Sequence, residues 1–195
     1  MYRICTTEKT TNQQRQFETT LLDMLQAQTY ESISISELCR EAGMSRKTFY
    51  RLFDAKADVL FALVDHTLLD YQKYEQDATV GPGGLHRCFA FWREQKPLLD
   101  ALDSNGVISL LMDRSIRLIS TEDADLVHIL GADEENAFET LLFSINAIYS
   151  LIFYWHSTGY EKSIDEMSAL MMKLLTTPIV KRPLAPDPSD LPGWK

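Results

Sequence analysis

Apolar positions recur every three or four residues along the chain and rarely alternate, so the pattern predicts helices throughout and no sheet. Thr11-x-x-Gln14 has the form of a capping box, in which each end satisfies the other's free backbone amide. Phe17, Leu21, Leu22, Met24 and Leu25 follow as one apolar face, which predicts a first helix over about 12–28. Ser34-x-x-Glu37 is a second capping box and opens a short helix ending near Ala42. Gly43 comes next, at the place where a left-handed residue closes a helix with least strain. Ser45 caps a third short helix, through about Leu52. Val59, Leu60, Leu63, Val64, Thr67 and Leu68 then lie on the stripe of a longer fourth helix.

The sharpest break is VGPGG at 80–84. Helical spacing resumes at Leu85, and Pro97 suits the first turn of another helix. Asn105-Gly106 interrupts again before VISLLMDRSIRLIS. Residues 121–136 are less regular and predict at most a short helix. Ala132–Ser157 reads as the longest apolar helix, and Ser163-x-x-Glu166, a third capping box, opens a last helix to about Thr176. Five prolines in 177–195 exclude helix or central strand and predict an extended tail. The expectation is an all-α chain of about nine helices.

Composition narrows the class. With 195 residues, 45 % apolar and 24 % charged, the chain belongs with globular proteins. Leu141–Trp155 is greasy but shorter than the roughly 20 residues of a bilayer span, so it predicts a buried helix and no membrane partner. The N-terminus has no signal-peptide-like apolar run, and Cys5, Cys39 and Cys88 form no CxxC pair, which points to the cytoplasm and to neither disulfides nor zinc. No phosphate-binding, dinucleotide-binding or nucleophile-elbow motif is present. His86, His128 and His156 each lack a second ligand three or four residues away. An enzyme, a metal and a cofactor are therefore not expected.

Charge singles out one segment. The chain carries −9 overall, yet residues 1–60 hold eight Lys/Arg against eight Asp/Glu, while 61–195 hold eleven against twenty. Within the neutral head, residues 36–56 gather Arg40, Arg46, Lys47, Arg51 and Lys56 against Glu37, Glu41 and Asp54 only. On a helix counted from Ser45, Phe49, Leu52 and Phe53 turn inward together. Arg46 and Tyr50 share the opposite side, as do Lys47 and Arg51. Two short capped helices around a glycine turn, the second with a basic and aromatic outer face, match a helix-turn-helix that enters the major groove of double-stranded DNA. The domain reading is a helix-turn-helix DNA-binding domain at 10–60, a helical domain at 61–176 and the proline-rich tail at 177–195.

ISISELCREAGMSRKTFYRLFDAKADVL, residues 33–60, resembles the N-terminal domain of TetR-family (tetracycline-repressor-like) transcriptional regulators. The resemblance runs through Ser34-Ile35, Leu38-Cys39, Ala42-Gly43-Met44-Ser45, Thr48-Phe49-Tyr50, Phe53, Lys56 and Leu60. Cys39, Lys47 and Leu52 depart from the usual alanine, small residue and aromatic. It implies that Ser45, Thr48, Tyr50 and Lys56 hold phosphates. It also implies that Arg46, Lys47 and Arg51 reach base edges or flanking phosphates, and that Ser34 and Ile35 make a further backbone contact. It further implies a helical second domain that receives a small-molecule effector, for which Phe89, Trp92, Met112 and Phe138 are candidate lining residues. The function so implied is a sequence-specific regulator, a ligand-responsive repressor on a palindromic operator. The alternative is a TetR-fold coactivator or adaptor that works through protein contacts without touching DNA.

The last two helices have more apolar positions than one face needs, so a second copy of the chain is the simplest cover. Leu141, Ile145, Ile148, Tyr149, Ile152, Trp155, Met167, Leu170, Met171 and Leu174 are the candidate dimer residues.

Overall fold

The computed structural model describes residues 7–76, 83–118 and 136–176, and among these it is helical with no strand. Nine helices follow one another among the described residues: α1 (Glu8–Leu25), α2 (Ile35–Glu41), α3 (Arg46–Leu52), α4 (Lys56–Gln76), α5 (Gly84–Glu94), α6 (Lys96–Ser104), α7 (Leu110–Leu118), α8 (Ala137–Ser157) and α9 (Ile164–Thr176). The proline-rich tail and all but the last residue of the irregular 121–136 segment lie outside the described residues.

Local signals hold at both ends of α2 and at the start of α9. The Ser34–Glu37 capping box forms in both directions, at 3.0 and 3.1 Å. The Ser163–Glu166 box forms likewise, at 2.7 and 3.2 Å. Gly43 adopts φ +64°, and behind it the Met44 amide donates to Cys39 O at 2.9 Å and the Gly43 amide to Arg40 O at 3.1 Å. This pair of reverse bonds closes α2.

The first helix departs from expectation. It begins at Glu8 behind Thr7, so Thr11 and Gln14 sit inside it and make no capping box. Gln14 precedes Phe17 by three residues and falls on the same buried stripe, where it is fully enclosed. A spacing that satisfies a cap also satisfies one helical turn, and here the turn wins.

The chain divides into two compact units, Met1–Tyr74 with Pro97–Ser120, and Glu75–Lys96 with Thr121–Lys195. The core of the first contains Phe17 and Leu21 from α1, Leu38 from α2, Phe49 from α3, Val59 and Val64 from α4, Leu99 and Leu102 from α6, and Leu111 from α7. Polar contacts between side chains tie its helices, two of them notable for their burial. His66 Nδ1 of α4 meets Glu18 Oε1 of α1 at 2.7 Å with both side chains buried. Arg114 of α7 grips both carboxylate oxygens of Asp65 of α4, with Nε to Oδ1 at 2.6 Å.

In the second unit α9 packs along α5. Phe89 sets edge-on to Trp155, centroids 5.6 Å apart, and Trp92 does the same to Tyr149 at 5.4 Å. Arg93 lies over the rings of both Trp155 and Tyr160. On α8, the stretch Phe138–Ser157 has a mean hydropathy of 1.2 and is long and apolar enough to cross a membrane by those two measures. Within the protomer 28 % of it is buried, which leaves uncovered apolar surface of the kind expected to meet a second copy.

Candidate nucleic-acid interface

The α3 helix is short, and its position is set by aromatic packing beneath it. Phe49 and Phe53 are fully buried and meet Phe17 of α1 edge-on, at 5.5 and 5.8 Å with planes near perpendicular. Leu52, where the family pattern has an aromatic, is buried beside them. Such ring pairs add about 0.5–1.5 kcal/mol each beyond the area they bury. Polar ties act on the preceding turn. Gln16 Nε2 of α1 donates to the Ala42 carbonyl at 2.7 Å, holding the end of α2. Cys39, also buried, sits where the two short helices approach, and burial pushes its thiol up.

With that side anchored, the other side of α3 faces out. Arg46, Lys47, Tyr50 and Arg51 are exposed, and Thr48 is half-buried. Ser45 Oγ accepts from the Thr48 amide at 3.1 Å and lies 3.0 Å from Thr48 Oγ1, so both hydroxyls are engaged at the helix start. Arg46 reaches the Tyr50 hydroxyl at 3.5 Å and its guanidinium sits 5.8 Å from the ring centroid. That hydrogen bond favours the charged guanidinium and raises its pKa further. Arg51 Nη2 donates to Gln13 Oε1 of α1 at 2.6 Å. The face therefore presents two arginines, a lysine and a phenol on a rigidly seated helix, the groups that read guanine edges and grip phosphates.

A profile described as "Bacterial regulatory proteins, tetR family" matches residues 21–63, the span from the end of α1 into α4. Residues 21–63 carry the tetR-family regulatory domain. No curated protein matches the chain. That match supports a DNA-binding transcription regulator, and the matched residues include all of α2 and α3.

Within this TetR-family domain the remaining candidates occupy different settings. Ser34 caps α2: its hydroxyl accepts from the Glu37 amide, and its own amide donates to the Glu37 carboxylate and is the main reason that carboxyl lies below the usual range; Ile35 is half-buried beside it. Lys56 turns inward. Its ammonium donates to the carbonyls of Tyr30 and of Ile33, the latter at 2.6 Å, and lies 4.1 Å from the Tyr30 ring centroid. Burial there lowers the lysine pKa and Glu31 partly offsets it; burial also raises that of Tyr30. Lys56 thus fixes the loop leading into α2.

Of the four lining candidates, Phe89 and Trp92 are buried in the aromatic core of the second unit, Met112 is half-buried on α7 and Phe138 is 52 % exposed at the start of α8. Of the dimer candidates, Leu141, Tyr149, Ile152, Trp155, Met167 and Met171 are buried within the protomer. Ile145, Ile148, Leu170 and Leu174 are half-exposed, and the most exposed apolar groups of α8 and α9 are Phe138, Phe143 and Met172.

The sequence reading missed Gln13, Gln16, Tyr30 and His66. The two glutamines lay in a polar run whose helical phase was hidden by the false cap. Tyr30 sits in a loop with no periodicity. His66 falls on the apolar stripe of α4, and that placement was the available signal that it is buried.

Proposed function

We propose that this regulator is a homodimeric, ligand-responsive repressor that acts in the cytoplasm and seats two copies of α3 in major grooves of a palindromic DNA operator. The observation that carries the DNA reading is the two-sidedness of α3: Phe49 and Leu52 enclosed, Arg46, Lys47, Tyr50 and Arg51 presented to solvent. A core helix has no use for that outer face, whereas a groove lined with phosphates and base edges does. It favours direct DNA contact over an adaptor role.

The dimer reading rests on α8 and α9. Phe138, Phe143 and Met172 are exposed, with Ile145, Ile148, Leu170 and Leu174 half-exposed along the same two helices. A second copy of the pair covers them symmetrically, while the buried residues of these helices hold the pair to its own protomer. Two-fold symmetry then sets the two α3 helices about one DNA turn apart, roughly 34–36 Å, or a multiple of it.

Light scattering of the protein alone and of its complex with a selected DNA site tests both parts. The expected result is a dimer in solution and two protomers per site, with affinity falling steeply as salt rises. A monomer in solution, or a complex insensitive to salt, overturns the reading.

A further inference from the structure

The first unit contains a cavity of about 300 Å³ between the end of α1, the start of α4 and the α6–α7 turn. That is room for about ten water molecules and lies at the small end of the range for organic-ligand sites. Leu25, Leu60, Phe61, Leu102 and Leu110 supply an apolar wall. None of the four candidate lining residues read from the sequence touches it.

The charges around the cavity have one sign. Glu31 and Asp113 line it, both exposed; neither makes a direct ion pair among the described residues, although Glu31 is near enough to Lys56 to favour its charged form. No lysine or arginine lines it. Two cations next to its walls are committed elsewhere: Lys56 to the carbonyls of Tyr30 and Ile33, and Arg114 to Asp65 while lying 5.3 Å from the centroid of Phe61. An anion gains nothing at such a mouth, and a neutral molecule gains only the apolar wall. A cation with an apolar body gains both.

The cavity also touches the loop that enters the helix-turn-helix. Tyr30 lines it, and its amide donates to Asn105 Oδ1, another lining group, at 2.7 Å. Asn105 is itself held through Nδ2 to Ala101 O at 2.7 Å. The Tyr30 carbonyl accepts from Lys56 at the start of α4. One occupant therefore meets α6, α7 and the segment that positions α2.

We infer that this cavity binds a small organic cation with an apolar body, and that occupancy alters DNA affinity by moving the Tyr30–Asn105 link. The inference rests on the ligand-responsive reading above and adds to it the ligand's class and its seat.

Calorimetry of the full chain with benzyltrimethylammonium tests the seat without DNA, with its neutral carbon isostere and benzenesulfonate as controls. The expected result is saturable binding of the cation, at least tenfold weaker binding of both controls, and at least tenfold loss in Glu31→Gln/Asp113→Asn. Ser109→Trp, a substitution at an exposed lining residue, abolishes binding while leaving the melting temperature unchanged. Anisotropy with labelled DNA, with and without the cation, then reads the coupling, expected as a severalfold change in affinity that both variants lose. No cation binding, or binding that survives both variants, overturns the inference and leaves DNA recognition by α3 standing. Binding at this seat with no change in DNA affinity overturns the link to regulation.

Discussion

Arg51 of α3 donates to Gln13 of α1 at 2.6 Å, so a cation of the outward face is held by the helix that supports it from behind. Holding a long side chain in one pose before DNA arrives removes part of the roughly 0.5–1.5 kcal/mol that ordering it on binding would cost. Gln13→Ala is therefore expected to weaken DNA binding by a few-fold, and Arg51→Ala by more, because the first removes the brace and the second the contact. The double variant should equal Arg51→Ala alone. Anisotropy titrations of the three variants at one salt concentration check this.

Lys56 carries a different prediction. Its ammonium is spent on the carbonyls of Tyr30 and Ile33 and on the Tyr30 ring. Lys56→Met keeps the aliphatic stem and removes the donors, leaving carbonyls in a half-buried loop short of a partner. A bond to a charged donor contributes about 1.5–3 kcal/mol, so the variant is expected to lose about 2 kcal/mol in urea unfolding. Well below its melting temperature it should bind DNA better than Arg46→Ala does. If Lys56 instead acts mainly on a phosphate, stability stays level and the salt slope of binding drops by about one unit.

The acid limb of stability belongs in part to two capping boxes. Ser34 and Ser163 hold the carboxyls of Glu37 and Glu166 below the usual value of 4.5 through backbone and side-chain hydrogen bonds. Because the folded state lowers these values, the contribution is complete above the unfolded value and is lost as pH falls through the folded one. The Glu37→Gln/Glu166→Gln protein should be less stable than the parent near pH 7. The difference should shrink as pH falls from about 6 to about 3, as urea midpoints at each pH will show.

These cases mark what was legible in the amino-acid sequence alone. Ser34–Glu37, Ser45, Gly43 and the Phe49–Leu52–Phe53 stripe were readable because each signal is local, complete within one turn of chain. Thr11-x-x-Gln14 used the same spacing and meant something else, since three residues apart is also one helical turn. The inward turn of Lys56 was out of reach because its partners, Tyr30 and Ile33, lie 26 and 23 residues away in a loop without period. The Glu18–His66 and Asp65–Arg114 pairs join helices 48 and 49 residues apart, and nothing in the spacing of charges says which will be enclosed. On α8 the apolar surplus was plain, but which residues face the protomer depends on how α5 and α9 pack.

Selection of bound sequences from a random duplex pool, run with the parent protein and with Arg46→Ala, tests the central claim most directly. Seating of two α3 helices predicts enrichment of an inverted repeat by the parent. It also predicts loss of preference at one base pair in each half-site with Arg46→Ala, since a bidentate arginine contributes about 1–3 kcal/mol of discrimination. No enrichment by the parent, or the same repeat enriched equally by the variant, would contradict it.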